Sequence, residues 1–485
     1  MNFLGIDIGT GSVKVCLLNE QGNIIYTAQN FYTTNEPETG YQESDPKKIA
    51  QQVFLLLKNI PSSSNSICIC FSSHMHSLMA VDKNNEPLTQ LMLWSDTRSI
   101  NEAEEVIKNG KVKDIYIKSG VPVHPMLPLT KIMWLQKHQP EIFYAAYKFI
   151  SIKEFIFYHF IKEYVVDYSV AASTGMFDMT KLDWNDDALF LANINKEKLS
   201  RIVSSKWSTN KIDISFLNQL NLPTNTTIVI GSSDGCLANI GSNIIPEKEI
   251  SLTIGTSAAV RITSHKKNID KDYAVFNYLL DENFFVCGGA SNNGGNVIDW
   301  IKKKYDYQNT NEILQDAFST PPGCEGLIIV PYFLGERAPV WNARAKEIIH
   351  TDKDNYPAKY FARATLEGMV MNLFLIAEKI IGNNLSVTKI VAGGGFIQSD
   401  EWVQLVADVF NLPVAIYSNA DVSALGAAIW GGYCVNYFSL NDEKIFSAKQ
   451  EKIFYPNLIN HQVYQKNYST FKEFALTQNF YCSLL

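Results

Sequence analysis

The chain opens with an apolar run, Phe3, Leu4, Ile6 and Ile8, whose pattern predicts a buried strand over 3–9 and a partner strand over 13–19. A strand at 23–31, a helix near 45–59 and a strand at 66–72 follow. Ser44-Asp45-Pro46 opens that helix, with proline at the first helical position, where no N–H is needed. Residues 141–163 carry Phe143, Tyr147, Phe155, Tyr158 and Phe160 at helical spacing and read as core. The strand at 226–230 runs into Gly231-Ser-Ser-Asp-Gly235 and a small-residue helix. In the second half, strands at 284–287, 326–332, 389–392 and 413–417 alternate with helices at 292–304, 358–381, 400–410 and 421–435. Such alternation predicts α/β layers with helices covering mixed sheets. No motif organises 436–485.

The turn after the first strand, Gly9-Thr10-Gly11-Ser12, is glycine-rich, which lets backbone N–H groups approach an anion. Asp7, inside the apolar run, would be costly unless it faces a cation or water held by one. Half the chain later the same build returns: Ile250-Ser-Leu-Thr-Ile-Gly255-Thr256-Ser257 between two apolar strands. Two other phosphate loops are excluded. No Gly-x-x-x-x-Gly-Lys-Ser/Thr occurs, and Lys14 stands where a dinucleotide fingerprint needs its third glycine.

Composition narrows the partners. At 485 residues two domains are expected, and we set the boundary near 244–248, giving 1–246 and 247–485. A net charge of −7 gives no basic footprint for nucleic acid, so a small-molecule partner is expected. Eight cysteines without a Cys-x-x-Cys pair read as reduced residues of a cytoplasmic protein. No 18-residue apolar run exists, so neither membrane insertion nor secretion is expected.

Twin hairpins of this kind resemble the actin, Hsp70 and sugar-kinase superfamily. The rest of the chain resembles the FGGY carbohydrate kinases over nearly its full length. Met126-Leu-Pro-Leu-Thr-Lys-Ile-Met-Trp-Leu-Gln-Lys-His138 fits the family's first signature. The resemblance implies two similar actin-like (ribonuclease H-like) α/β domains with the nucleotide in the cleft between them. It implies ATP as phosphoryl donor and Mg²⁺ held through water by Asp7. Asp234 maps onto the catalytic aspartate, which would take the proton of the attacking hydroxyl. ATP contacts carry over to Gly9, Thr10, Gly11, Ser12, Lys14, Gly255, Thr256, Ser257, Gly295, Gly394, Gly395 and Ser399. Gly426-Ala-Ala428 would let its helix pack closely beneath the nucleotide.

Substrate contacts carry over to Met75, His76, Trp94, Asp96, Arg98, His124 and Arg337, beside Asp234. Met75-His76 in His74-Met-His-Ser77 resembles both the xylulokinase and gluconokinase branches. Val121-Pro-Val-His-Pro-Met126, Ser77-Leu-Met-Ala-Val-Asp82 and Met371-Asn-Leu-Phe374 resemble the gluconokinase branch more than the ketose branch, implying a sugar or sugar-acid substrate, gluconate first. Arg98, His76, His124 and Arg337 would supply donors to its carboxylate. Xylulokinase is the rival of the same class; a sensor that has lost transfer is the rival of another class, and it would not need Asp234. The resemblance leaves room for a homodimer. One departure concerns the second signature, which ends well as Ala364-Thr-Leu-Glu-Gly368 but carries Thr351, Asp352 and Tyr360 at altered positions, where the substrate rim or domain closure would differ.

Overall fold

A computed structural model describes residues 1–61, 66–351, 353, 355–382, 386–417, 421–440, 451–479 and 481. Asp352 and Cys482 lie outside the described residues. The first half builds a six-stranded sheet from β1 (Asn2–Ile8), β2 (Ser12–Leu18), β3 (Ile24–Phe31), β4 (Ser66–Ser73), β5 (Ser208–Thr209) and β6 (Asn225–Ser233). Its order is β5-β6-β4-β1-β2-β3. Helix α1 (Pro46–Lys58) is capped by Asp45, whose side chain accepts from the N–H groups of Lys47 and Lys48. Helix α2 (Asp234–Gly241) follows β6 directly.

The second half repeats the plan. Strands β7 (Glu249–Ile254), β8 (Ala258–Ser264), β9 (Phe276–Asp281), β10 (Phe284–Ser291), β11 (Lys389–Gly393), β12 (Val414–Tyr417) and β13 (Glu451–Phe454) order as β9-β10-β8-β7-β11-β12-β13. In each sheet the first strand of the hairpin pairs antiparallel with the second and parallel with the next: β1 with β2 and β4, β7 with β8 and β11. The five-strand runs β3-β2-β1-β4-β6 and β10-β8-β7-β11-β12 therefore match strand for strand and direction for direction. Helices α3 (Ala358–Ile381), α4 (Asp400–Phe410), α5 (Val422–Cys434) and α6 (Leu458–Leu476) complete the second half.

Helices α2 and α5 each follow the fifth strand of their repeat, and they cross at the junction of the two halves. A Cβ on Gly426 of α5 would lie 1.9 Å from the Leu237 carbonyl oxygen of α2, so only glycine permits this approach. The small residues of Gly426-Ala-Ala428 thus serve helix crossing. One continuous core, including Phe3, Cys70, Leu237, Leu252 and Trp430, runs through both halves on this side. A second core, with Ile6, Val15, Val53, Phe71 and Phe157, lies under the outer face of the first sheet.

Several predicted elements change in detail. The aromatic stretch 141–163 is not one helix: helices Pro140–Ala145 and Ile152–Ile161 flank a strand, Lys148–Ile150, that pairs with Met79–Val81. A capping box between Ser151 and Glu154 restarts the helix. Phe143, Phe155 and Phe160 are buried, whereas Tyr147 is exposed. The helix predicted at 292–304 begins at Val297, and the strand at 326–332 shortens to Ile328–Val330. The motif-free C-terminal stretch holds β13 and α6, with Tyr464, Tyr468 and Phe471 buried. No helix among the described residues is long and apolar enough to cross a membrane. Among the described residues seven cysteines are free thiols.

Candidate active site

Asp234 begins α2, where the positive end of the helix favours a carboxylate. The loop before it is fixed by backbone geometry. Gly231 has φ +67°, and a Cβ there would sit 2.1 Å from the Phe71 carbonyl oxygen, a position closed to other residues. Beneath the loop, buried Lys153 donates to Asp167 (2.7 Å) and to the Ser232 carbonyl (2.8 Å). Asp167 in turn holds Ser169, whose Oγ accepts from the Ser233 N–H at 2.8 Å. Burial pushes the Asp234 carboxyl up, and Arg261 and His74 oppose that shift.

A cavity of about 490 Å³ joins Asp234 to Lys14, Arg261, Gly393, Gly394 and Asp421. Lys14 on β2 pairs with Asp421, which caps α5, so this ion pair spans the two halves. Asp7, 5% exposed, accepts a hydrogen bond from Ser72 Oγ (2.6 Å). Burial, then Asp421 and Asp234, push its carboxyl up to about 8. Such a carboxyl fits a cation beside it, because a positive charge would relieve the burden on its ionised form. Among the described residues no three His, Cys, Asp or Glu side chains cluster as a metal cage.

A second cavity, about 380 Å³, is lined by Gly255, Thr256, Gly295, Gly395 and Ser399 with Ile298, Leu314 and Trp402. Of the predicted nucleotide residues, Lys14 and Gly394 line the first cavity and Gly255, Thr256, Gly295, Gly395 and Ser399 the second, while Gly9, Thr10, Gly11, Ser12 and Ser257 line neither. Several of them are already engaged. The Gly295 N–H donates to the Gly255 carbonyl at 2.6 Å, so it braces the second hairpin and has no hydrogen left for a phosphate. Ser399 caps α4 through the Trp402 N–H (3.3 Å). In the first hairpin, the Gly9 N–H bonds the Ser12 carbonyl (2.9 Å) and Thr10 Oγ1 accepts from Trp94 Nε1 (3.1 Å), while Gly11 stands open.

The sugar end departs further from expectation. Arg98 is 3% exposed and grips Asp96 with Nε and a terminal nitrogen (2.9 and 2.7 Å) and Glu43 at 2.6 Å, stacked on Tyr41. Asp96 and Arg98 therefore form a buried ion pair in which each satisfies the other's charge. His76, at φ +64°, donates from Nδ1 to the Ser173 carbonyl (2.7 Å) and accepts at Nε2 from Tyr278 Oη of β9 (2.9 Å). Burial holds it far below the usual imidazole range, so the neutral ring links the two halves and offers no donor to a carboxylate. Buried Lys131 of the first signature, lowered to about 7 by burial, clamps the His76 and Leu93 carbonyls at 2.8 and 2.6 Å.

His124 and Arg337 keep capacity for a ligand. His124 Nδ1 accepts from the Met126 N–H (3.2 Å), which leaves the proton on Nε2, buried and unpartnered. Burial, with Arg337 and Lys131, lowers its pKa to about 3, so it is a neutral donor. Arg337 lies 4.3 Å over the Trp94 ring and donates to Asn292 Oδ1 (2.8 Å) and the Ser291 carbonyl (3.2 Å). Buried Glu336, pushed up to about 7, holds the 291–293 loop through Ser291 Oγ and the Asn292 N–H, each at 2.7 Å. Met75 approaches Gly235 beside Asp234. Of the altered second-signature positions, Tyr360 bonds Glu325 (3.0 Å) and Thr351 bonds the Lys353 carbonyl, on the surface outside both cavities.

Arg261, Asp421 and the Lys153–Asp167 brace carried no role in the sequence reading. The repeat itself held the signal for Arg261, since each hairpin places one cation on its second strand, Lys14 or Arg261.

The model of the FGGY carbohydrate kinase N-terminal domain matches residues 2–241, and that of the C-terminal domain matches residues 250–435. A gluconokinase of Bacillus subtilis is 36% identical over 449 residues, covering 89% of this chain and 87% of its own. Two solved structures from Lactobacillus acidophilus superpose with a TM-score of 0.92. A gluconate kinase is 30% identical and covers 100% of this chain and 99% of its own. A ligand-bound xylulose kinase is 31% identical and covers 100% of both. The chain, with its twin hairpins and paired sheets, belongs to the FGGY family of carbohydrate kinases.

Proposed function

We propose that the protein transfers the γ-phosphoryl group of ATP to the terminal hydroxyl of gluconate, with Asp234 as general base. The observation that carries this reading is Asp234 itself. It is a braced carboxylate at a helix N-terminus, raised by burial and facing a cavity that is also lined by Lys14 of the first hairpin, Arg261 of the second and the Gly393–Gly394 turn. A carboxylate raised above its ordinary range is a stronger base for taking the proton of a sugar hydroxyl at the moment of attack. The hydroxyl oxygen bonds phosphorus, the bond to the ADP oxygen breaks, and the proton passes to Asp234.

ATP would lie across the two cavities, adenosine against Gly395, Ser399 and Trp402, phosphates toward Gly11, Thr256 and Gly394. Mg²⁺ would be held by the phosphates and, through water, by Asp7, supplying charge neutralisation to the phosphates. Closure of the domains, which we divide at 246/247, would exclude water from the donor. For the sugar, the 36% identity to a gluconokinase favours gluconate. Arg337 would take its carboxylate and the His124 Nε2–H a hydroxyl. The equal match to a xylulose kinase supports a second reading, a ketose as acceptor. Coupled ADP release across gluconate, xylulose, ribulose, fuculose and glycerol tests both. Gluconate should give the highest kcat/KM; a higher value for xylulose would keep the kinase and replace its substrate.

A further inference from the structure

Arg261 stands on β8, in the second half of the molecule, yet its side chain crosses to α2 of the first. A Cβ on Gly235 would lie 3.0 Å from Arg261 Nε and 3.6 Å from its guanidinium carbon. The guanidinium is thus packed on the N-terminus of α2, beside Asp234. It also lines the cavity with Lys14, Gly394 and Asp421. Arg261 Nε is buried and has no hydrogen-bond partner. An arginine is rarely left with a buried N–H unmet, since the lost hydrogen bond is costly. Its neighbours explain why no side chain meets it. Lys14 holds Asp421, Tyr278 holds His76, and Arg337 is engaged with Asn292 and Ser291. Asp234, whose raised carboxyl Arg261 pulls back down, accepts from the Gly235 N–H of its own helix (2.7 Å).

We propose that Arg261 contacts the phosphoryl group in transit, stabilising the charge that spreads over its outer oxygens as it moves from ADP to the acceptor hydroxyl. This rests on the kinase reading above. The placement fits that task in three respects. The guanidinium adjoins the base, and so the point where the new oxygen–phosphorus bond forms. It faces the same cavity as Lys14 and Gly394, where the donor phosphates would end. And it is contributed by the second domain, so it completes the site only when the two domains are together, as an arginine supplied across a domain boundary does in other phosphoryl transfers. The groups facing Asp234 are then Asp7 from β1, His74 from the end of β4, Tyr278 from β9, Arg337, Asp421 from α5 and Arg261 from β8. Among the described residues, Arg261 is the cation of this group whose buried Nε has no hydrogen-bond partner.

The test compares the full-length wild type with Arg261→Ala and Arg261→Lys in turnover and in equilibrium binding. Arg261→Ala should lower kcat by about 10²–10³-fold with KM for gluconate changed little. Added guanidinium ion should restore part of the rate to Arg261→Ala and nothing to the wild type. Arg261→Lys should fall between, because a point charge replaces a fork. Binding of ADP alone should be unchanged in Arg261→Ala, which also reports a folded cleft, while tight binding of ADP with aluminium fluoride and gluconate should be lost. Retention of that tight complex, or of wild-type kcat, would overturn the proposal. A raised KM for gluconate but not for xylulose, with kcat kept, would reassign Arg261 to the substrate carboxylate and overturn it too. If ADP binding is lost in Arg261→Ala, Arg261→Lys with guanidinium-independent kcat near wild type overturns it, and a depressed kcat with normal ADP binding upholds it. Absence of turnover in the wild type would instead remove the kinase reading, leaving Arg261 aside.

Discussion

The two hairpins share one backbone plan but carry different chemistry. In the first, Asp7 faces Lys14 across the strand pair one step from the turn; in the second, Thr253 and Ala259 hold that place, and Arg261 lies two pairs further out, opposite Ser251. The first half contributes two raised carboxyls, Asp7 and Asp234. The second half contributes Arg261 and Arg337. The same hairpin scaffold thus occurs twice, with Asp7 and Lys14 on the first copy and Arg261 without an acidic partner across the strands on the second. A consequence is that neither half holds a balanced site by itself. The cross-pair of Lys14 with Asp421 and the bond from Tyr278 to His76 tie the halves where those charges meet.

The sharpest way to break this division of labour is at the base. Asp234→Asn keeps the shape and removes the proton acceptor; kcat should fall about 10²–10⁴-fold while ATP still binds, read by steady-state turnover and nucleotide titration. Near-normal turnover would remove Asp234 from the chemistry. The next effect is on stability. Lys153→Met leaves Asp167 buried without its cation, which should cost about 3–5 kcal/mol in denaturant unfolding and loosen the loop that carries Asp234.

A smaller effect separates the two arginines that the sequence placed together. Arg337→Ala should raise KM for gluconate roughly 10–100-fold over any change for xylulose. Arg98→Ala should destabilise the fold without altering that ratio, because Arg98 is committed to Asp96 and Glu43. Equal KM effects for the two sugars in Arg337→Ala would show that Arg337 does not read the carboxylate.

The smallest effect sharpens the acidic half. The Asp7 carboxyl is raised to about 8 in the fold, above its unfolded value, so the folded protein binds more protons between those two values. Stability of the ligand-free protein should then fall as pH rises through that window, and the acidic limb of the activity profile should lie above the ordinary carboxylate range. Asp7→Asn should raise the melting midpoint at pH 8 by about 2–4 °C and increase the Mg²⁺ requirement. An unchanged melting curve and Mg²⁺ titration would make Asp7 structurally and catalytically silent.

The hairpins, the Asp234 loop and the alternation of strands and helices were legible because each rests on local pattern: apolar runs broken by glycine, or a helix start after a strand. Partner choice was not legible. Arg98 finds one partner two residues away and another, Glu43, in a distant strand, and nothing in Trp94-Ser-Asp-Thr-Arg98 distinguishes an inward ion pair from a substrate clamp. His76 likewise depends on Ser173 and Tyr278, far along the chain. The C-terminal helix was hidden for another reason. Tyr464, Tyr468, Phe471 and Ala475 repeat at helical spacing, but the intervening Asn, Gln and Lys residues leave only a narrow apolar stripe.

The most direct test is to identify the product. Purified protein incubated with ATP, Mg²⁺ and gluconate should yield, by phosphorus NMR, a phosphate monoester split by the two protons of the terminal carbon of gluconate, and Asp234→Asn should yield none in the same time. No ester from gluconate, or an ester formed equally well by Asp234→Asn, would contradict the account.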